Sequence, residues 1–214
     1  KRSISRSDMG LPDNAFVFCC FNNNYKITSS EFDIWMRLLT KVEGSVLWMR
    51  KSNQSSNINM KKEARKRKVD PSRLIFAERA PMNEHLARHK LADLFIDTFA
   101  FNAHTTTTEA LWAGLPVVTK MGQGFAARVA GSLLNAVGLP ELITENEQDY
   151  EALILELATN PSRLATIKEK LAVNRLTQPL FDTEQYTKHL EDGYQQAYQN
   201  YFEGKIPQTI IVSN

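Results

Sequence analysis

The chain has 214 residues, 43% hydrophobic and 23% charged, with a formal net charge of +2; this suits one globular domain, since domains usually run about 100 to 200 residues. A chain of this length hides roughly 70% of the surface it exposes when unfolded, so it needs neither disulfide nor metal to hold it together. Nine Gly, eight Pro and 9% aromatics exclude collagen and disorder, near-neutral charge gives no general pull towards nucleic acid, and no apolar run reaches the ~18 to 20 residues of a membrane helix.

Apolar runs of four to eight residues alternate with helical patterns, the signature of βα units building a parallel sheet with helices on both faces. Residues 1–12 start with Lys, are too polar for a signal peptide and read as a linker or loose segment entering a domain over 13–204. Ala15 to Phe21 is a continuous apolar run, as expected of a first strand buried on both faces. It holds the only two cysteines, Cys19 and Cys20, whose adjacency makes a poor disulfide pair, so a reducing, cytoplasmic setting is expected. Ser29, Ser30 and Glu31 open a helix with Phe32, Trp35, Leu38 and Leu39 on one stripe. Ser45 to Met49 is the second strand, and Lys51 to Asn59 reads as a loop into a helix ending near Lys68. Arg73 to Glu78 is the third strand, Pro81 opens a short helix, and Ala92 to Thr98 is the fourth strand, with Asp97 at its carboxyl end. The stretch from Asn102 runs into a helix stopped at Gly114, before a fifth strand from Leu115 to Lys120. A helix from Phe125 to Val137 and a short edge strand, "ELIT", follow; then come helices over Gln148 to Thr159, Ser162 to Arg175 and Glu184 to Phe202, and a loose tail over 205–214.

Three stretches carry candidate chemistry. Phe21 to Ile27, "FNNNYKI", follows the first strand, where open α/β sheets bind ligands. Lys26 could neutralise a phosphate there; alternatively the three Asn satisfy turn geometry and Lys26 is solvated. "NAHTTTTEALWAG" places His104 and four Thr at a helix start, where unpaired N–H groups and about half a positive charge suit an anion, and Glu109 one turn further on could accept from a sugar hydroxyl. The plain alternative is a Thr105 N-cap, although four β-branched Thr make a poor first helical turn. His85 and Arg88, three apart on one helix face, could stack on and bind a base, or simply form a basic surface. The four His, at 85, 89, 104 and 189, lack zinc-ligand spacing. The run from Lys61 to Lys68 has six basic residues in eight; no aromatic interleaves it, and it reads as a solvated helix face rather than a nucleic-acid patch. Trp35, Trp48 and Trp112 are assigned to the core.

Taken together, "FNNNYKI", "SVLW", "RLIFAERAP", the "HTT" followed by "EALWAG", and the late "PLFDTEQYT" resemble, in order and spacing, the C-terminal catalytic lobe of O-linked N-acetylglucosamine transferases and their SPINDLY-like relatives. The resemblance covers nearly the whole chain and implies an α/β, Rossmann-like lobe of a GT-B glycosyltransferase with a helical C-terminal extension. It implies inverting transfer of N-acetylglucosamine from UDP-N-acetylglucosamine to Ser or Thr hydroxyls of proteins, without metal or other cofactor. An N-terminal lobe and TPR repeats of the same protein would be the partners. Residue by residue, Lys26 falls on the lysine that stabilises the diphosphate leaving group, and Asn23 stands where many members have Gln. Ala80 falls on the backbone contact to uracil, and Met82 stands where some members have Lys. His85 and Arg88 fall on the base-contacting pair, His104, Thr105 and Thr106 on the phosphate-binding "HTT", and Glu109 where some members have Asp on the ribose. Transfer of fucose from a GDP-sugar, and a non-catalytic nucleotide-binding or interaction module, remain the alternatives.

Overall fold

The computed structural model describes residues 4–212. Six strands form one parallel sheet in the order β3-β2-β1-β4-β5-β6: β1 Val17–Cys20, β2 Val46–Arg50, β3 Leu74–Ala77, β4 Leu94–Ile96, β5 Val117–Lys120 and β6 Ile143–Thr144. β1, β4 and the first four residues of β2 are buried throughout, without the alternation of a sheet with one wet face. The order reverses direction between β1 and β4, and since parallel crossovers are as a rule right-handed, this reversal puts helices on both faces.

The intervening helices are α1 Ser29–Lys41, α2 Gln54–Lys66, α3 Met82–Arg88, α4 Thr105–Trp112, α5 Val129–Ala136 and α6 Glu147–Thr159, followed by α7 Pro161–Thr177 and α8 Thr183–Phe202. α1 opens with a capping box between Thr28 and Glu31, so the cap lies one residue before the expected serine pair. Ser30, Arg37 and Trp35 of α1 bond Glu147, Glu151 and Tyr150 of α6, clamping the two helices together. α4 ends on Gly114 at φ +86°, and the Leu115 N–H then reaches back to the Ala110 carbonyl at 2.9 Å, turning the chain into β5.

Several expectations are corrected. α2 begins at Gln54, inside the stretch read as a loop: a Ser- and Asn-rich start has weak helix propensity, but the Asn53 side chain caps it by accepting from the Ser56 N–H at 2.8 Å. Trp112 is not core; it ends α4 48% exposed and packs edge-on against Phe181, with 5.1 Å between centroids. Part of the segment read as loose is tied down. Arg6 donates to the carbonyls of Leu91, Asp13 and Ala15 and pairs with Asp93 at 2.9 Å, and Leu11 is buried. In the basic run, Lys66 and Arg67 are paired with Glu63, and Arg67 also with Asp33. Residues 205–212 form no helix or strand, and the remainder of the expected tail lies outside the described residues. No helix among the described residues is long and apolar enough to cross a membrane, and Cys19 and Cys20 are buried free thiols.

Candidate functional site: a cleft at the carboxyl ends of β1 and β4

A cleft of about 680 Å³ opens beyond the carboxyl ends of the strands, within the range of small-molecule sites. Ala80, Met82, His85 and Arg88 form one wall; Thr105, Thr106 and Glu109 form the other. Seven of the ten residues singled out from the sequence thus line one cavity. Lys26, Asn23 and His104 do not line it.

The first wall stands on Phe21, which leaves β1 and is buried. Its ring lies 4.9 Å from that of Trp48, 5.4 Å from His85 and 5.2 Å from His89, and the Arg88 guanidinium sits 4.6 Å from its centroid. Arg88 donates to the Glu78 carbonyl at 2.6 Å and to His85 Nδ1 at 2.5 Å. His85 therefore carries its proton on Nε2 and donates it to Glu109 across the cleft at 3.2 Å. Burial and the neighbouring guanidinium both lower the His85 pKa, which favours this neutral ring. His89 behind it donates from Nδ1 to the His85 carbonyl at 2.7 Å, and burial lowers its pKa to about 4. Met82, 59% exposed, stands at the lip.

The second wall is the start of α4. Thr107 and Thr108 turn their hydroxyls back to the carbonyls of Ala103 and His104, which offsets the poor fit of β-branched residues there. Thr105 and Thr106 line the cleft, and as the first two helical residues their N–H groups have no intrahelical partner. Next to this start, the Lys26 ammonium donates to the Asn102 carbonyl at 2.9 Å and lies 3.9 Å from the Phe101 ring centroid. The His104 ring stacks on the same Phe101 at 4.8 Å and donates from Nε2 to the Ala126 carbonyl at 3.1 Å. Partial burial lowers the Lys26 pKa, and the Asp97 carboxylate opposes that shift. A cation beside free N–H donors at a helix start is an arrangement suited to an anion, and rings with a guanidinium are one suited to stacking on a planar group.

Sequence reading missed Arg50 and Phe101, and did not pair Asn22 with Asp97. Arg50, the last residue of β2, lines the cleft and donates to Asn23 Oδ1; a cation at the carboxyl end of a strand was the available signal. Phe101 offered none, lying in a loop. Asn22 and Asp97 meet because the β1–β4 register, Cys19 opposite Phe95, brings the ends of the two strands side by side. Among the described residues, no three His, Cys, Asp or Glu side chains converge to hold a metal.

Asp97 is wholly buried, and desolvation raises its pKa from 3.8 to about 6 despite four hydrogen bonds to its carboxylate. The unfolded chain loses that proton near pH 3.8 and the fold only near 6, so stability falls as pH rises between them and the loss is complete above. Denaturation of Asp97→Asn beside the native chain isolates this effect: the relative stability of the variant is expected to rise by about 2 kcal/mol from pH 4 to pH 7. A flat difference would place the carboxyl's titration elsewhere.

The profile of glycosyl transferase family 41 matches residues 3–190. The UDP-N-acetylglucosamine–peptide N-acetylglucosaminyltransferase of Caenorhabditis elegans is 38% identical over 98% of this chain, which covers 18% of that protein. The SPINDLY protein of Petunia hybrida is 32% identical over 91% of this chain and 21% of its own length. The O-GlcNAc transferase of Thermobaculum terrenum superposes with a TM-score of 0.83 at 29% identity, over 88% of this chain and 37% of that one. The chain thus spans about a fifth of the length of these curated relatives. A match that runs through every strand of the sheet and both walls of the cleft makes this chain a member of glycosyl transferase family 41, as a Rossmann-like lobe of the GT-B kind.

Proposed function

We propose that the cleft holds the nucleotide-sugar donor, UDP-N-acetylglucosamine, of an inverting, metal-independent protein O-glycosyltransferase. A longer chain would supply the acceptor-binding lobe and any TPR repeats, and the Ser or Thr of a protein would be the acceptor. A cytoplasmic setting belongs to the same proposal, supported by the free thiols of Cys19 and Cys20. The observation that carries it is the division of the site: Lys26 and the free start of α4 at one end, the His85–Arg88 wall at the other. Support also comes from the Caenorhabditis elegans relative, named for this transfer.

In this reading the acceptor oxygen bonds to the sugar's anomeric carbon from the face opposite the diphosphate. The bond to the phosphate oxygen breaks, UDP leaves with the electron pair, and the acceptor hydroxyl gives its proton to water. Negative charge grows on the diphosphate, and the Lys26 ammonium with the N–H and hydroxyl groups of Thr105 and Thr106 would meet it. Arg88 would face the base, and Glu109, held by His85, would accept from the ribose. Calorimetric titration with UDP, GDP and UDP-N-acetylglucosamine tests the donor class: saturable binding of both uridine ligands, with GDP at least about tenfold weaker, is expected. Preference for GDP would replace this donor by a GDP-sugar, as in O-fucosyl transfer.

A further inference from the structure

The loop between β4 and α4 is folded around one carboxylate. Asp97 Oδ1 accepts from Asn22 Nδ2 at 3.0 Å, from the Thr98 N–H at 2.8 Å and from the Ala103 N–H at 2.7 Å. Its Oδ2 accepts from Thr119 Oγ1 at 2.8 Å, and its carbonyl accepts from the Tyr150 hydroxyl at 2.8 Å. Within the loop, Thr98 Oγ1 donates to the Phe101 carbonyl at 2.6 Å and Asn102 Nδ2 to the Thr98 carbonyl at 2.7 Å. The outer side of the same loop carries the Asn102 carbonyl that receives Lys26, and the Phe101 ring against which both Lys26 and His104 lie.

We infer that Asp97 is a positioning residue for diphosphate recognition: by closing the 98–103 loop from both ends it sets Lys26 and the start of α4, without touching the ligand. A wholly buried carboxylate costs stability when ionised, and here four buried donors depend on it. What the carboxylate supplies is one oxygen for three donors from two loops, which fixes their relative placement. The inference rests on the nucleotide reading of the cleft, and its test separates the two.

Affinities for UDP and UMP are measured by calorimetry on the 214-residue chain and its variants. The native chain is expected to prefer UDP. Asp97→Ala is expected to weaken UDP about tenfold, the loss of a charge-assisted contact, while UMP, which relies on the His85–Arg88 wall, changes less than about twofold. Asp97→Asn is expected to keep most of the preference, because its amide oxygen still accepts from three donors and its N–H can donate to the Thr119 hydroxyl. Should Asp97→Ala not fold, Asn22→Ala, which removes one donor to Asp97, carries the same readout with an expected loss of about threefold in the UDP-to-UMP ratio. A native chain that binds neither nucleotide, or binds both alike, overturns the nucleotide reading and this inference with it. A native preference for UDP that survives in the folded alanine variants, or UDP and UMP weakened equally in them, overturns the positioning role alone.

Discussion

Replacing Lys26 by alanine is expected to slow sugar transfer by about a hundredfold or more, the usual effect of deleting one preorganised donor from the site of developing charge. The ammonium is held in place before any ligand arrives, by the Asn102 carbonyl at 2.9 Å and the Phe101 ring at 3.9 Å. It therefore needs little reorganisation as the glycosidic bond breaks. Because the charge it meets grows along the reaction, the loss should fall mainly on kcat, with donor KM changing less. Lys26→Arg should recover only part of the rate, since a planar fork does not fit the place of a compact ammonium. Steady-state transfer to a Ser- or Thr-containing peptide by the whole enzyme reads all three; a fall of less than about threefold in Lys26→Ala would remove the ammonium from the leaving-group site.

Phe21→Ala is expected to lose about 3 to 5 kcal/mol of stability by denaturant unfolding, as for other buried aromatic truncations. The ring is 3% exposed and lies between Trp48 beneath and the His85, His89 and Arg88 side chains above. Without it the base wall loses its floor and the Arg88 guanidinium its aromatic partner. UMP binding should therefore fall along with stability, whereas Phe21→Leu should cost less than about 1.5 kcal/mol. Near-native stability of the alanine variant would mean that the wall is supported from elsewhere.

The parts of this protein that could be read from its sequence are those governed by short-range pattern. Ala15 to Phe21 announces a buried strand because a sheet covered on both faces leaves no polar alternation. His85 and Arg88 are legible as a pair because three residues of helix put them on one face, and the structure joins them at 2.5 Å. α2 escaped because Ser and Asn form helices weakly and its start depends on one side-chain cap at Asn53. Trp112 misled because an apolar neighbourhood in sequence does not say which side of a helix meets the sheet; it ends α4 on the side of Phe181. Asp97 lay in plain view at the end of a strand. Its four partners come from the turn after β1, from β5 and from its own loop, and only the parallel register brings them together. Local chemistry is thus visible in the chain, while the network that aims it depends on tertiary contacts.

The most direct test of the account is a crystal structure of this chain grown with UDP. The base is expected in the 680 Å³ cleft against His85 and Arg88, with the diphosphate running past the Thr105 and Thr106 N–H groups towards Lys26, which stands outside the lining. UDP bound elsewhere on the surface, or a cleft left empty at saturating UDP, would contradict the account.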